Sequence, residues 1–247
     1  MVCRLSIPRN GGTHAGFDSL SEVGRVVSDS YPALAIEQTD PAVVSGLLDV
    51  PGDFFQVRIV FSSEYPAVLP AIFETGGRTA LTMRKRQVPL NDLHYMPDGR
   101  ACLCVPQEER LFVNPHSPFE TFMANLVVPF FYSQAVFDRD GIWPFGERAH
   151  GLDGVWEFYS ERLGNDFEMV LACMRRLARG DRPRSHWSCP CGSGRSVAGC
   201  HPQVFQGMVQ VHSMLDRHRI SADLEKFATA VDAARRTPAT RSLAPWA

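Results

Sequence analysis

The sequence has no apolar run approaching the roughly 18 residues that a membrane-spanning helix needs, and no secretory leader at its start. Both absences set a cytoplasmic protein without membrane attachment as the expectation. Positive charge is not in excess either, since 25 Lys and Arg stand against 27 Asp and Glu, a net charge of −2. Non-specific nucleic-acid binding needs a basic surface overall, so nucleic acid is not an expected partner. A disulfide framework is also missing. The seven cysteines are an odd number, and Cys102/Cys104 and Cys189/Cys191 form two tight Cys-x-Cys pairs, which suits metal binding or thiol chemistry better.

What is present is ample apolar material, 45% of 247 residues, with 10% aromatic. That is enough for one large domain or two small ones. After a Gly-rich stretch, residues 1–14, that reads as frayed, Phe17, Leu20, Val23 and Val27 recur at helical spacing and predict a helix ending before Pro32. Strand-like runs follow at residues 34–38 and 43–50. Phe55, Val57, Ile59 and Phe61 then alternate with Gln56 and Arg58, and residues 71–74 close an antiparallel four-strand meander. Ser117-Pro118 starts a further helix with Phe119, Phe122, Met123, Leu126 and Val127 on its stripe, and Pro129 is expected to kink or end it. Phe130, Phe131, Tyr132 and Phe137 read as core. A long helix is predicted over residues 155–178, with Tyr159, Leu163, Phe167, Val170, Leu171, Met174 and Leu177 on one face.

Arg175, Arg176, Arg179, Arg182 and Arg184, with Gly180 and Pro183 among them, mark residues 176–187 as a basic linker after a first domain of residues 1–175. The run reads either as a solvated helix end or as a contact for a partner or RNA. Beyond it lies Cys189-Pro-Cys191-Gly-Ser-Gly-Arg-Ser-Val-Ala-Gly-Cys200-His201. Two thiols and a Cys-His pair, with glycines to allow tight turns, supply four ligands that suit tetrahedral structural zinc. All four positions are filled by protein, so such an ion holds a fold and does no chemistry. Two short helices, residues 204–215 and 221–236, and a disordered tail from residue 237 complete the expected organisation.

The stretch at residues 91–106 concentrates chemistry: a histidine, a Pro97-Asp98-Gly99 turn, and the thiols Cys102 and Cys104. The turn releases the chain into a short apolar run, which puts Cys102 at a loop edge.

Gly99-Arg-Ala-Cys102-Leu103 resembles the Gly-x-x-Cys-Leu surroundings of the active cysteine in ubiquitin-conjugating enzymes, with His94 upstream as in that family. Tyr65-Pro66-Ala-Val-Leu-Pro70 is similar to its Tyr-Pro-x-x-Pro-Pro segment, with Leu69 replacing the first paired proline. The run from Gly141 to His150, with Trp143 and Glu147, resembles the tail of bacterial ubiquitin-conjugating-like proteins. Together these cover roughly residues 14–155. The 189–201 run resembles the SEC-C motif, a small zinc module. The resemblances imply an α+β, ubiquitin-conjugating (UBC-like) catalytic domain with flanking helices, followed by a C-terminal zinc module, residues 188–236, that serves as a protein-docking surface.

The activity so implied is transthiolation: Cys102 accepts the C-terminus of a modifier or target as a thioester and passes it to an acceptor. An activating enzyme, a ubiquitin-like modifier or a nucleotide cyclase C-terminus are the implied partners, in a bacterial conjugation or antiphage defence setting. His94-Tyr95-Met96 lacks the proline and asparagine of the family's His-Pro-Asn motif, so the oxyanion donor is His94, Asn91 or a backbone N–H. His94 otherwise braces the loop. Cys104 is a resolving thiol, a second acceptor or a small buried residue. His150 and Trp143 line the site or pack behind it. The competing readings are a non-catalytic adaptor and a thiol redox protein using Cys102 and Cys104.

Overall fold

A computed structural model describes residues 19–114 and 116–236; the expected frayed start, the position of Phe17 and the expected tail lie outside these residues. The chain forms two compact units, divided between Arg148 and Ala149.

In the first unit, α1 (Ser19–Ser30) leads into β1 (Leu34–Glu37), β2 (Val43–Val50), β3 (Asp53–Val60) and β4 (Ala71–Glu74). The strands pair in sequence order, each antiparallel to the next, as the alternation predicted. Val50 faces Asp53 across a two-residue Pro51-Gly52 turn, and Val44 faces Ile59, which in turn faces Ile72. Period two puts Phe55, Val57 and Ile59 in the core while Phe54, Gln56 and Arg58 face outward. Each fully buried side chain of this kind contributes about 1.5–3 kcal/mol.

Val23 and Val27 of α1 join this core face. The same core takes in α4 (Phe119–Phe122) and α5 (Val128–Asp140), with Phe131 4.9 Å from Phe55 and Phe119 5.7 Å from Phe61 between ring centroids. Pro129 neither ends nor breaks this helical stretch. A π turn, Met123–Val127, precedes it, and the Val128 N–H reaches back to the carbonyl of Met123. A proline lacks the N–H and crowds the carbonyl four residues back, so a locally widened turn accommodates it.

A helix absent from the sequence reading, α2 (Arg78–Arg86), follows β4. Thr82 alone is buried in it, so it carries almost no apolar stripe to read. Cations strap it down instead: the Arg78 guanidinium lies over the Phe55 ring at 4.3 Å and forks onto Asp53, while Lys85 and Arg86 donate to the Asp138 carbonyl at 2.6 and 2.7 Å. The short α3 (Glu109–Phe112) is held from α4's side of the fold by Asn125, whose Nδ2 donates to the Phe112 carbonyl at 2.9 Å.

The second unit comprises α6 (Gly151–Leu163), α7 (Phe167–Leu177), α8 (Val197–Cys200), α9 (Pro202–Met214) and α10 (Arg217–Arg236). The single helix expected over residues 155–178 is two helices. Gly164 breaks it at φ 97°, a conformation that favours glycine, and Asp166 caps α7 by accepting from the Met169 N–H at 2.7 Å. Gly164-Asn165-Asp166 is a stop-and-restart signal that the continuous apolar stripe obscured.

The apolar faces of α6 and α7 are covered by α9 and α10. A Cβ on Gly207 of α9 would stand 1.8 Å from the Arg162 carbonyl of α6, so only glycine permits this approach. The Tyr159 hydroxyl donates to the fully buried Asp223 of α10 at 3.0 Å. The division therefore lies at residue 148 rather than at 175, because α6 and α7 belong to the second core. The arginine-rich residues 176–187 fall inside that unit: Arg176 sits over the Trp187 ring at 4.1 Å and donates to the Ser188 carbonyl at 3.3 Å. The whole is an α+β protein with a four-stranded antiparallel sheet and flanking helices. Among the described residues no helix is long and apolar enough to cross a membrane.

Candidate functional site

Two clusters gather the chemistry-bearing residues. The first grows from the short 3₁₀ turn Asn91–Leu93, which ends at His94 in the left-handed region, φ 57°. Histidine tolerates that region better than most residues, at some backbone cost. The inverted backbone at His94 turns the chain into a small hairpin. Tyr95 bridges Ala101, Met96 N–H donates to the Arg100 carbonyl at 2.8 Å, and Asp98 accepts from the Arg100 N–H at 3.0 Å. The Ala101 N–H donates to the Ile72 carbonyl at 2.8 Å, which fastens the hairpin to β4.

Cys102 emerges at the end of this hairpin, half-buried, its N–H donating to the His94 carbonyl at 2.7 Å. The hairpin thus brings His94 and Cys102 together through the backbone. The His94 side chain is buried and meets the edge of Trp143 at 5.0 Å, while Trp143 stacks on Phe137 at 4.3 Å. Gln134 donates to the Leu93 carbonyl at 2.8 Å from within the core. Trp143 is thus wedged between the His94 and Phe137 rings. Asn91 is exposed at the start of the turn, its carbonyl accepting from the His94 N–H at 2.9 Å. His150 stands at the N-cap position of α6 in the second unit, half-buried.

The two thiols differ. Cys102 Sγ lies 3.8 Å from the Cys104 carbonyl. Burial pushes the Cys102 thiol up, and the Arg100 guanidinium opposes that shift. Burial pushes Cys104 higher still, reinforced by the carboxylates of Glu109 and Glu108. Only the thiolate is nucleophilic, so Cys102 is the more easily activated of the pair. With its pKa raised, Cys102 carries less thiolate at neutral pH than the few per cent of a free thiol. Its alkylation by iodoacetamide, followed by intact mass, is expected to be slower than that of a model peptide thiol at pH 7. The rate should climb until a pH above the free-thiol midpoint; a midpoint at or below the free-thiol value would show that the site activates the thiol unaided.

Arg148 and Glu108 form a buried ion pair that no local sequence pattern marks. Arg148 donates to Glu108 at 2.7 Å, with side chains 3% and 5% exposed. Gln107-Glu108-Glu109-Arg110 reads as a solvated polar run, and only tertiary packing puts Gln107 and Glu108 inside.

The second cluster is Cys189, Cys191, Cys200 and His201, whose ligand atoms all lie within 4.8 Å of one another. Ser188 bridges Ser196, Cys189 N–H donates to the Arg195 carbonyl at 2.9 Å, and Ser196 caps α8 by accepting from the Gly199 N–H at 3.3 Å. These bonds fold the Cys-x-Cys hairpin back onto α8. Cys189 Sγ is 3.1 Å from His201 Nδ1, and the Cys191 and Cys200 sulfurs are 3.6 Å apart. Two thiolates on one tetrahedral ion with bonds of about 2.3 Å stand about 3.8 Å apart, so the donor set can hold a metal ion with little movement. Hydrogen bonds from Ser193 hold the Cys191 thiol down to about 6, whereas burial pushes Cys189 up to about 11.

No protein-family model, curated protein or solved structure matches the chain.

Proposed function

We propose that the protein is a ubiquitin-conjugating-like acyl transferase, its first unit a UBC-like domain with Cys102 as covalent acceptor. The observation that carries this reading is the placement of Cys102 at the end of the Pro-Asp-Gly hairpin behind a four-strand antiparallel meander, tied by its N–H to His94. The Cys102 thiolate attacks the carbonyl of a thioester on an activating enzyme; the enzyme's thiolate leaves and takes up a proton. An acceptor amine then attacks the new thioester and expels Cys102. The acyl group is the C-terminus of a ubiquitin-like modifier or a target such as a nucleotide cyclase. Burial raises the Cys102 thiol, so a partner that brings positive charge or a base to the loop would favour the attacking thiolate. The Met96, Arg100, Ala101 and Cys102 N–H groups are already donated within the hairpin and to β4, which leaves the side chains of Asn91 and His94 as the candidate oxyanion donors.

The Cys189, Cys191, Cys200 and His201 cluster holds a structural zinc ion, and its module docks partner proteins. Three thiolates and one imidazole are a borderline-soft set typical of zinc, and the sulfur spacing agrees with it.

A non-catalytic adaptor is the second reading, favoured by the upward shift of the Cys102 thiol and the burial of His94. Intact mass spectrometry without reductant, on protein co-expressed with its operon neighbours, separates the two. The transferase carries a thiol-labile adduct that persists in Cys104→Ala, vanishes in Cys102→Ala and becomes a reductant-stable ester in Cys102→Ser. Partner binding with no adduct in any form points to the adaptor. An adduct lost only in Cys104→Ala removes Cys102 as acceptor.

A further inference from the structure

The Cys-His cluster has two polar neighbours beyond its ligands. Arg195 donates from its guanidinium to Cys200 Sγ at 3.3 Å, and Ser193 Oγ lies 3.2 Å from the same sulfur. Both converge on Cys200, which is half-buried on the last turn of α8.

Resting on the zinc reading above, we propose that Arg195 is the charge partner of the ligated Cys200 thiolate and a determinant of how long the module keeps its ion. A zinc ion bound by three thiolates and a neutral imidazole carries one net negative charge. One guanidinium on one of those sulfurs brings the assembly to neutrality. A charge-assisted N–H···S⁻ contact also withdraws electron density from the sulfur, so the thiolate is less readily protonated or attacked and leaves the metal more slowly. The main chain of Arg195 has its own task, since its carbonyl accepts from the Cys189 N–H at 2.9 Å. That bond survives any side-chain substitution, so the hairpin geometry and the charge can be varied separately.

Outer partners of metal ligands are worth about 10–100-fold in affinity. Arg195 is exposed, and solvent screens its field, so the lower end applies. Zinc content of the purified full chain is measured first, then zinc release into an excess of chromogenic chelator for wild type, Arg195→Gln and Arg195→Lys, in low and high salt. Arg195→Gln is expected to release zinc about tenfold faster in low salt, with the gap narrowing in high salt, and Arg195→Lys to fall between the two. In cobalt-substituted protein the thiolate-to-metal charge-transfer band is expected to move to lower energy in Arg195→Gln, a shift that mere loosening of the hairpin does not produce.

A wild-type chain without stoichiometric zinc overturns the zinc reading, and this inference with it. Loaded wild type and variants with equal release rates and an unmoved band overturn the role of Arg195 alone. Should Arg195→Gln fail to hold metal, the wild type decides by salt: release that quickens as salt rises supports the charge pairing, and release indifferent to salt overturns it.

Discussion

With the proposed zinc bound at Cys189, Cys191, Cys200 and His201, its removal is expected to unfold the hairpin and the short helix that carry the cluster. Between Ser188 and His201 the apolar anchors are few: Cys189 is 5% and Val197 1% exposed, while Cys191, Ser193 and Arg195 face solvent. The backbone bonds of the segment, such as Gly192 N–H to the Cys189 carbonyl at 3.2 Å and Val197 N–H to the Trp187 carbonyl at 2.7 Å, cannot offset the entropy of ordering it. Structural zinc supplies about 10–16 kcal/mol to such modules at neutral pH. Amide hydrogen exchange gives the direct check. With zinc bound, the amides of Cys189, Val197, Cys200 and His201 exchange slowly; after excess chelator, or in Cys189→Ser or Cys200→Ser, they exchange at the rate of an open chain. Protection that survives complete loss of metal would show that packing alone closes the segment.

Arg148→Ala is expected to destabilise the first unit by about 3–5 kcal/mol, because it removes the guanidinium that donates to the buried Glu108 carboxylate at 2.7 Å. Domains of this size are held by only about 5–15 kcal/mol, so one such loss is large. Glu108 also terminates the turn that follows the candidate cysteines, its N–H donating to the Val105 carbonyl at 2.8 Å. Loosening it therefore frees the loop of Cys102 and Cys104 as well as the core. The double variant Arg148→Met/Glu108→Gln removes both charges and is expected to recover much of the lost stability, since replacing a buried pair by neutral groups is often nearly neutral. Denaturant unfolding of the two single variants and the double completes the cycle. Additive losses would mean that the pair is not coupled and that each side chain acts through packing alone.

What could be read from the sequence is what short-range pattern encodes. The alternation of Phe55, Val57 and Ile59 with Gln56 and Arg58 fixed which face of β3 turns inward, and the antiparallel pairing followed from turns as short as Pro51-Gly52. The Cys/His cluster was equally legible, because the pair Cys189/Cys191 and the pair Cys200/His201 lie close enough in the chain for two tight turns to join them. Misreadings came where one pattern overlay another. A continuous stripe hid the break at Gly164-Asn165-Asp166, and a helix held by cations rather than apolar contacts, α2, left no stripe to find.

The candidate cysteine site is divided in the same way. Sequence alone picked out Cys102 and the turn before it, since a Pro-Asp-Gly run dictates a reversal wherever it occurs. It could not say that the His94 side chain is buried against Trp143, some fifty positions on, nor that Glu108 meets Arg148, which is 40 residues away. Burial and charge pairing across such separations depend on which surfaces the fold brings into contact. Those surfaces exist only once the sheet and helices have packed, and it is their low-dielectric interior that raises the Cys102 thiol and makes the Glu108–Arg148 pair matter.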